Sequence, residues 1–106
     1  PSAYLDRVRH DPAERDALIE ELVVHDSWFF REPAAFGWLT AFARRLASTT
    51  PTTQPLRFLS IPAARGEEPY SMAAALNEAG LPANRVSIDA YDVSLPAIDE
   101  ARTGEY

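Results

Sequence analysis

Apolar residues first fall into register at Leu18, Ile19, Leu22 and Val23, which share one face of a helix. Asp11-Pro12-Ala13-Glu14 lies just ahead of them and reads as a helix start. Asp11 can cap, Pro12 suits the first helical position, and Glu14 completes a capping box. The pattern predicts a helix running to about Val24, and Tyr4 to Arg9 reads as the end of another helix before it. His25 to Glu32 is a compact, aromatic-rich connection. Pro33 then opens a second helix, in which Phe36, Leu39, Ala43 and Leu46 recur at helical spacing while Trp38 and Phe42 fall off the stripe. Ser48 to Pro55 holds four Thr, one Ser and two Pro, so periodicity breaks there and a loop is expected.

Beyond that loop the pattern changes character. Leu56 to Ser60 is a short apolar run of the kind that forms a buried strand. A turn is expected at Ile61 to Gly66. Glu67 to Ala79 reads as a helix with Pro69 in its first turn and Gly80 just past its end. Val86 to Tyr91 predicts a second strand. Ser94 to Arg102 predicts a third helix, capped by Ser94 and stopped by Gly104. The order β-α-β-α calls for a parallel sheet with right-handed crossovers, an α/β architecture behind an α-helical front.

Composition narrows the possible functions. At 106 residues and 46% hydrophobic, the chain has material for one small core. A net charge of -6 argues against a nucleic-acid backbone as partner, and no apolar stretch is long enough for membrane insertion. Cysteine is absent, which removes disulfides and thiolate metal sites. The two histidines, His10 and His25, are too few and too distant for a self-evident metal site, and Asp89 with Asp92 adds no convincing one.

In open α/β sheets ligands bind beyond the carboxyl ends of the strands. Two features of this chain fall there: the turn from Ser60 to Gly66 leading into Glu67 and Glu68, and Asp92 after the second strand. An acidic residue placed like Asp92 accepts hydrogen bonds from ribose hydroxyls in nucleotide-binding folds, but an aspartate there can equally start the next helix. Both readings stand on the pattern. The turn is no phosphate cradle. It has one glycine, and the paired glutamates would repel a pyrophosphate. They suit the helix dipole, and they equally suit a ligand that is cationic or rich in hydroxyl donors.

These residues also form a recognisable set. Gly66-Glu67-Glu68-Pro69-Tyr70-Ser71 resembles the G-E-E-P-Y-S signature of CheR-type protein-glutamate O-methyltransferases, the class that methylates bacterial chemoreceptors. Ser27-Trp28-Phe29-Phe30-Arg31-Glu32-Pro33 resembles that family's T-x-F-F-R-E-P block. Tyr91-Asp92-Val93-Ser94 resembles its second-strand end, and Ala101-Arg102-Thr103-Gly104-Glu105-Tyr106 its A-R-x-G-x-Y segment. The Leu59 to Pro62 stretch resembles a subgroup acting on surface-sensing receptors.

The resemblance implies a partial Rossmann-like S-adenosylmethionine-dependent methyltransferase fold, with parallel strands and crossover helices. Residues 1–24 would end an N-terminal helical region, and residues 25–106 would form the N-terminal half of the methyltransferase domain, truncated. The implied cofactor is S-adenosyl-L-methionine, with S-adenosyl-L-homocysteine as product. Its implied contacts are His25, Ser27, Arg31, Glu68 and Asp92. Glu68 would hydrogen-bond within the pocket, Asp92 would hold the ribose hydroxyls, and Arg31 would pair with the methionine carboxylate. Ser27 keeps the hydroxyl of the family's Thr, and His25 stands where many members have Asn or Glu.

The implied activity is cytoplasmic methyl transfer to receptor glutamates, the partners being the cytoplasmic domains of methyl-accepting chemoreceptors. No catalytic base is implied, because a carboxylate is already a nucleophile at neutral pH. As a fragment the chain is expected to be inactive alone and to self-associate through exposed sheet edges. Two departures bear on the site: Pro62 removes a backbone donor, and Arg65 brings bulk and positive charge where a sulfonium would sit, so weaker cofactor binding is expected. The alternative is a non-catalytic module that keeps the fold and only docks receptors or scaffolds. A nicotinamide-binding half-domain is disfavoured by the missing glycines and the paired glutamates. Trp28, Phe29 and Phe30 are expected to pack and not to stack on ligand.

Overall fold

The computed structural model describes residues 2–23 and 27–106. Helix α1 (Ser2–His10) and helix α2 (Pro12–Leu22) pack against each other. The Asp11 side chain caps α2, accepting from the Ala13 and Glu14 amides at 3.0 and 3.4 Å. The expected capping box does not close. Glu14 instead takes the Tyr4 hydroxyl at 3.0 Å and Arg7 at 3.1 Å, pinning α2 to α1. Helix α2 ends at Leu22, short of the expected limit, and Val24 lies outside the described residues.

Helix α3 (Pro33–Thr49) leads to strand β1 (Leu56–Ser60), helix α4 (Glu67–Glu78), strand β2 (Val86–Ala90) and helix α5 (Leu95–Thr103). The strands are parallel, with Leu56 opposite Val86, Phe58 opposite Ile88 and Ser60 opposite Ala90. The predicted β-α-β-α alternation is therefore observed, with α4 as the crossover. Alternation along β1 turns Leu56, Phe58 and Ser60 to one face, and Arg57 and Leu59 to the other.

The core lies on the first face. Ala43 of α3, Leu56 of β1, Leu76 of α4 and Leu81 form its centre, flanked by Leu39, Leu46, Phe58, Val86 and Ile88. Ala43, the one buried residue of α3, belongs to this centre and is fully buried. The predicted stripe on α3 is thus the face that packs. The opposite face of the sheet carries the Arg57–Asp89 ion pair at 3.0 Å and an exposed Leu59.

Gly66 begins α4 at φ +99°, a left-handed conformation that glycine adopts without cost. A Cβ there would meet the Tyr106 hydroxyl, the Tyr70 ring and the Ala101 methyl. Two motif blocks therefore meet at this point. The glycine of the first leaves room for the tyrosine and alanine of the last, and the Tyr70 hydroxyl donates to the Ala101 carbonyl at 2.8 Å. The aromatic block joins them. Phe29 lies edge-on to Tyr106, and the Phe30 amide donates to the Ser71 hydroxyl at 3.0 Å.

Candidate functional site

A cleft of about 700 Å³ opens beyond the carboxyl ends of β1 and β2. Its walls come from the segment before α3, the first turns of α3, the turn after β1, the inward face of α4 and the turn after β2. Short strands ending level with each other explain the location. The chain must leave the sheet at Ser60 and Ala90, and the backbone bonds Tyr91 N to Ser60 O (3.0 Å) and Ala63 N to Tyr91 O (2.8 Å) keep the two exits together. Ser27, Arg31, Glu68 and Asp92 all line this cleft, although they come from three separate stretches of sequence. His25 lies outside the described residues.

Asp92 is held at both carboxylate oxygens. Oδ2 accepts from the Ala64 amide at 2.8 Å and Oδ1 from the Ser94 amide at 2.9 Å. The two readings of this residue are thus compatible. Its bond to Ser94 belongs to the start of α5, where the Ser94 hydroxyl in turn caps the helix through Ala97 N at 3.2 Å. The same bonds fix the carboxylate toward the cleft, and each oxygen keeps acceptor capacity for a ligand hydroxyl. Ala64 makes its bond from a left-handed conformation at φ 49°, which a small side chain tolerates better than a bulky one.

Glu68 sits in the first turn of α4, where the helix dipole favours a carboxylate. Its Oε1 accepts from the Ser60 hydroxyl at 2.7 Å. Ser60 was missed by the sequence reading. Its only signal there is a small polar residue closing an apolar strand, and nothing local tells which partner it meets.

Arg31 stacks its guanidinium over the Trp28 ring, 4.9 Å from the centroid. The aromatic block therefore divides. Phe29 packs on Tyr106 and Phe30 on Phe36, as expected, whereas Trp28 lines the cleft under Arg31. Phe36, Trp38, Leu39, Met72 and Val93 complete the apolar part of the wall. Trp38 is stacked on Phe42 at 5.2 Å, so the two residues off the α3 stripe pair with each other.

Arg65 does not face the cleft. Its Nε lies 3.7 Å from Glu67 Oε1 and 3.8 Å from Glu100 Oε2 of α5. The expected placement of Arg65 at the ligand is not what the structure shows: it is absent from the cleft lining and stands beside these two carboxylates. Glu67 is buried, and its Oε2 has no hydrogen-bond partner among the described residues. Pro62 does line the cleft, as expected. Tyr106 donates its hydroxyl to the Arg65 carbonyl. Burial, followed by the nearby Tyr70 and Glu67, pushes the Tyr106 phenol above the ordinary tyrosine range.

A profile of the family described as the CheR methyltransferase, SAM binding domain, matches residues 25–106. The chain belongs to the CheR methyltransferase family. Residues 25–106 hold all four motif blocks and every wall of the cleft except Val23. The chain is 42% identical over 103 residues to the probable biofilm formation methyltransferase WspC of Pseudomonas aeruginosa, covering 97% of this chain and 24% of that protein. It is 36% identical over 104 residues to chemotaxis protein methyltransferase 2 of the same organism, covering 97% of this chain and 36% of the relative. Identity to the chemotaxis protein methyltransferase of Salmonella typhimurium is 36% over 95 residues, or 89% of this chain and 31% of the relative. The chain thus spans between about a quarter and a third of the length of these curated relatives.

The cofactor of the CheR SAM binding domain is S-adenosyl-L-methionine. The cleft fits that molecule. Its volume suits a nucleoside with an amino-acid tail. It offers carboxylate acceptors at Glu68 and Asp92, a guanidinium at Arg31, and apolar surface between them. Among the described residues no group of His, Cys, Asp and Glu could hold a metal ion. None of the described helices is long and apolar enough to cross a membrane.

Proposed function

We propose that this CheR-family chain carries the S-adenosylmethionine site of a cytoplasmic enzyme that methylates glutamate side chains on the cytoplasmic domains of methyl-accepting receptors. The observation that carries this reading is the convergence of Arg31, Glu68 and Asp92 on one apolar-walled cleft. When bound, S-adenosylmethionine supplies a methyl group on sulfonium that a substrate carboxylate takes up as its methyl ester, the sulfur keeping the bonding electron pair.

The residues serve binding and orientation. Asp92, fixed by the Ala64 and Ser94 amides, accepts from the ribose hydroxyls. Arg31 pairs its planar fork with the methionine carboxylate, and Trp28 supports the guanidinium from below. Glu68, anchored by Ser60, accepts within the pocket, and the Ser27 hydroxyl adds a further polar contact. His25 is included in the cofactor set as the family's polar position ahead of Ser27. The apolar wall excludes water from the reacting centre. A glutamate substrate is ionised at neutral pH and needs no base. Rate then comes from holding the reacting groups in line. Chemotaxis and biofilm formation both remain within this proposal, since the relatives named above carry both kinds of name.

Titration calorimetry of the full-length protein with S-adenosylhomocysteine tests the reading. Binding by the unaltered protein, lost in Asp92→Ala and strongly weakened in Glu68→Ala, is expected. An unaltered protein that takes up no ligand, or variants that bind as tightly as it does, would overturn the assignment.

A further inference from the structure

Ser60 is the last residue of β1 and is 1% exposed, so its hydroxyl has been taken out of water. A buried hydroxyl without a partner is costly, and this one spends its proton on Glu68 Oε1 at 2.7 Å. The distance is that of a charge-assisted hydrogen bond between a hydroxyl and a carboxylate. Ser60 itself does not move freely. Its carbonyl accepts from Tyr91 N at 3.0 Å and it stands opposite Ala90 in the sheet. The hydroxyl is thus mounted on a hydrogen-bonded strand end and stays outside the cleft lining.

We propose that Ser60 is a positioning residue for the cofactor: it locks the Glu68 carboxylate in the cleft so that the remaining acceptor sites face the ligand. This rests on the assignment of Glu68 to the cofactor site made above. A glutamate on the first turn of a helix has three side-chain torsions, and ordering them on binding costs conformational entropy. A hydroxyl bond made in the free protein removes that cost before the ligand arrives. A carboxylate has about four lone-pair sites, so one bond to Ser60 leaves acceptors for a ligand donor. Arg31 and Glu32 from the segment before α3, and Asp92 from the turn after β2, line the same cleft, whereas Ser60 does not line it and so blocks none of them.

Titration calorimetry with S-adenosylhomocysteine on the full-length protein carries the test, in a double-mutant cycle of Ser60→Ala and Glu68→Ala. Ser60→Cys, close in size and a weak donor, serves as a second probe should the alanine variant fold poorly. With Glu68 present, both Ser60 variants are expected to weaken binding about tenfold, the cost of ordering a freed Glu68 side chain when the ligand arrives. Thermal unfolding should show the free Ser60 variants cooperatively folded, with a midpoint lowered by the loss of the bond to Glu68. In the Glu68→Ala background the same changes should alter affinity less than about twofold, because the group they position is gone. Unchanged affinity in folded Ser60 variants, or an equal loss in both backgrounds, would sink the proposal while leaving the cofactor site in place. No binding by the unaltered protein would remove the site reading and this inference together.

Discussion

Single residues explain why the motif blocks have the composition they do. Gly66 combines φ +99° with a space that Tyr106, Tyr70 and Ala101 close off. Gly66→Ala should therefore destabilise the fold by about 1–2 kcal/mol from conformation alone, with the clash adding to it. Thermal unfolding would register this as a lowered midpoint, and an unchanged midpoint would mean that the turn can relax. Tyr106 gives a prediction of a different kind. Its folded-state pKa lies above the ordinary value because burial, then Tyr70 and Glu67, disfavour the phenolate. The folded form therefore holds the proton more tightly than the unfolded form. The contribution to stability is complete below about pH 10 and is lost as the pH rises through the raised pKa. Denaturant titrations in alkaline buffers should show stability falling more steeply for the unaltered protein than for Tyr106→Phe, and parallel curves would contradict the shift.

At the scale of elements, hydrophobic pattern and cap chemistry went far. The limits of β1, the Ser94 cap and the Gly104 stop of α5 were legible because each depends on a local rule: a short apolar run, a side-chain acceptor, a left-handed terminus. The capping box at Asp11 was not, because Glu14 found stronger partners on α1, and pairing between elements is invisible to a local pattern. Arg65 was misplaced for the same reason. Its charge was read against the ligand expected nearby, while its carboxylate partners lie on α4 and on α5. It follows that Arg65→Ala should change affinity for S-adenosylhomocysteine by less than about twofold. It should cost about 1 kcal/mol of stability, because Arg65 is half exposed while the Glu67 charge it pairs with is buried. A marked gain in affinity would return Arg65 to the cleft. Among the helices, Leu76 of α4 is 1% exposed at the centre of the core, so Leu76→Ala should cost about 2–5 kcal/mol in chemical denaturation.

For the molecule as a whole, most of the cleft was readable in advance, because strand ends in α/β sheets are where ligands collect and the motif residues fall there. The apolar wall from Phe36, Trp38 and Leu39 was not, since Phe36 and Leu39 read as ordinary packing and Trp38 as a residue off the packing stripe. The sheet leads to the last prediction. It has two strands, so each described strand has one unpaired edge. Parallel sheets are ordinarily covered on both faces, yet here α3 and α4 cover one face while Leu59, Ile61, Tyr91 and Val93 stand 58–65% exposed on or just beyond the other strand ends. A bare edge beside exposed apolar side chains is a template for association between copies. The 106-residue chain should therefore self-associate as its concentration rises, and light scattering should report a mass above the 11.7 kDa of one copy. Burial of apolar surface drives this association, so added salt should not reverse it. Leu59→Arg should shift the equilibrium toward single copies by placing a charge in the contact. A single-copy mass across the accessible concentration range would mean that the α1–α2 pair or the turns already shield the edge, and would remove the argument from exposed strands.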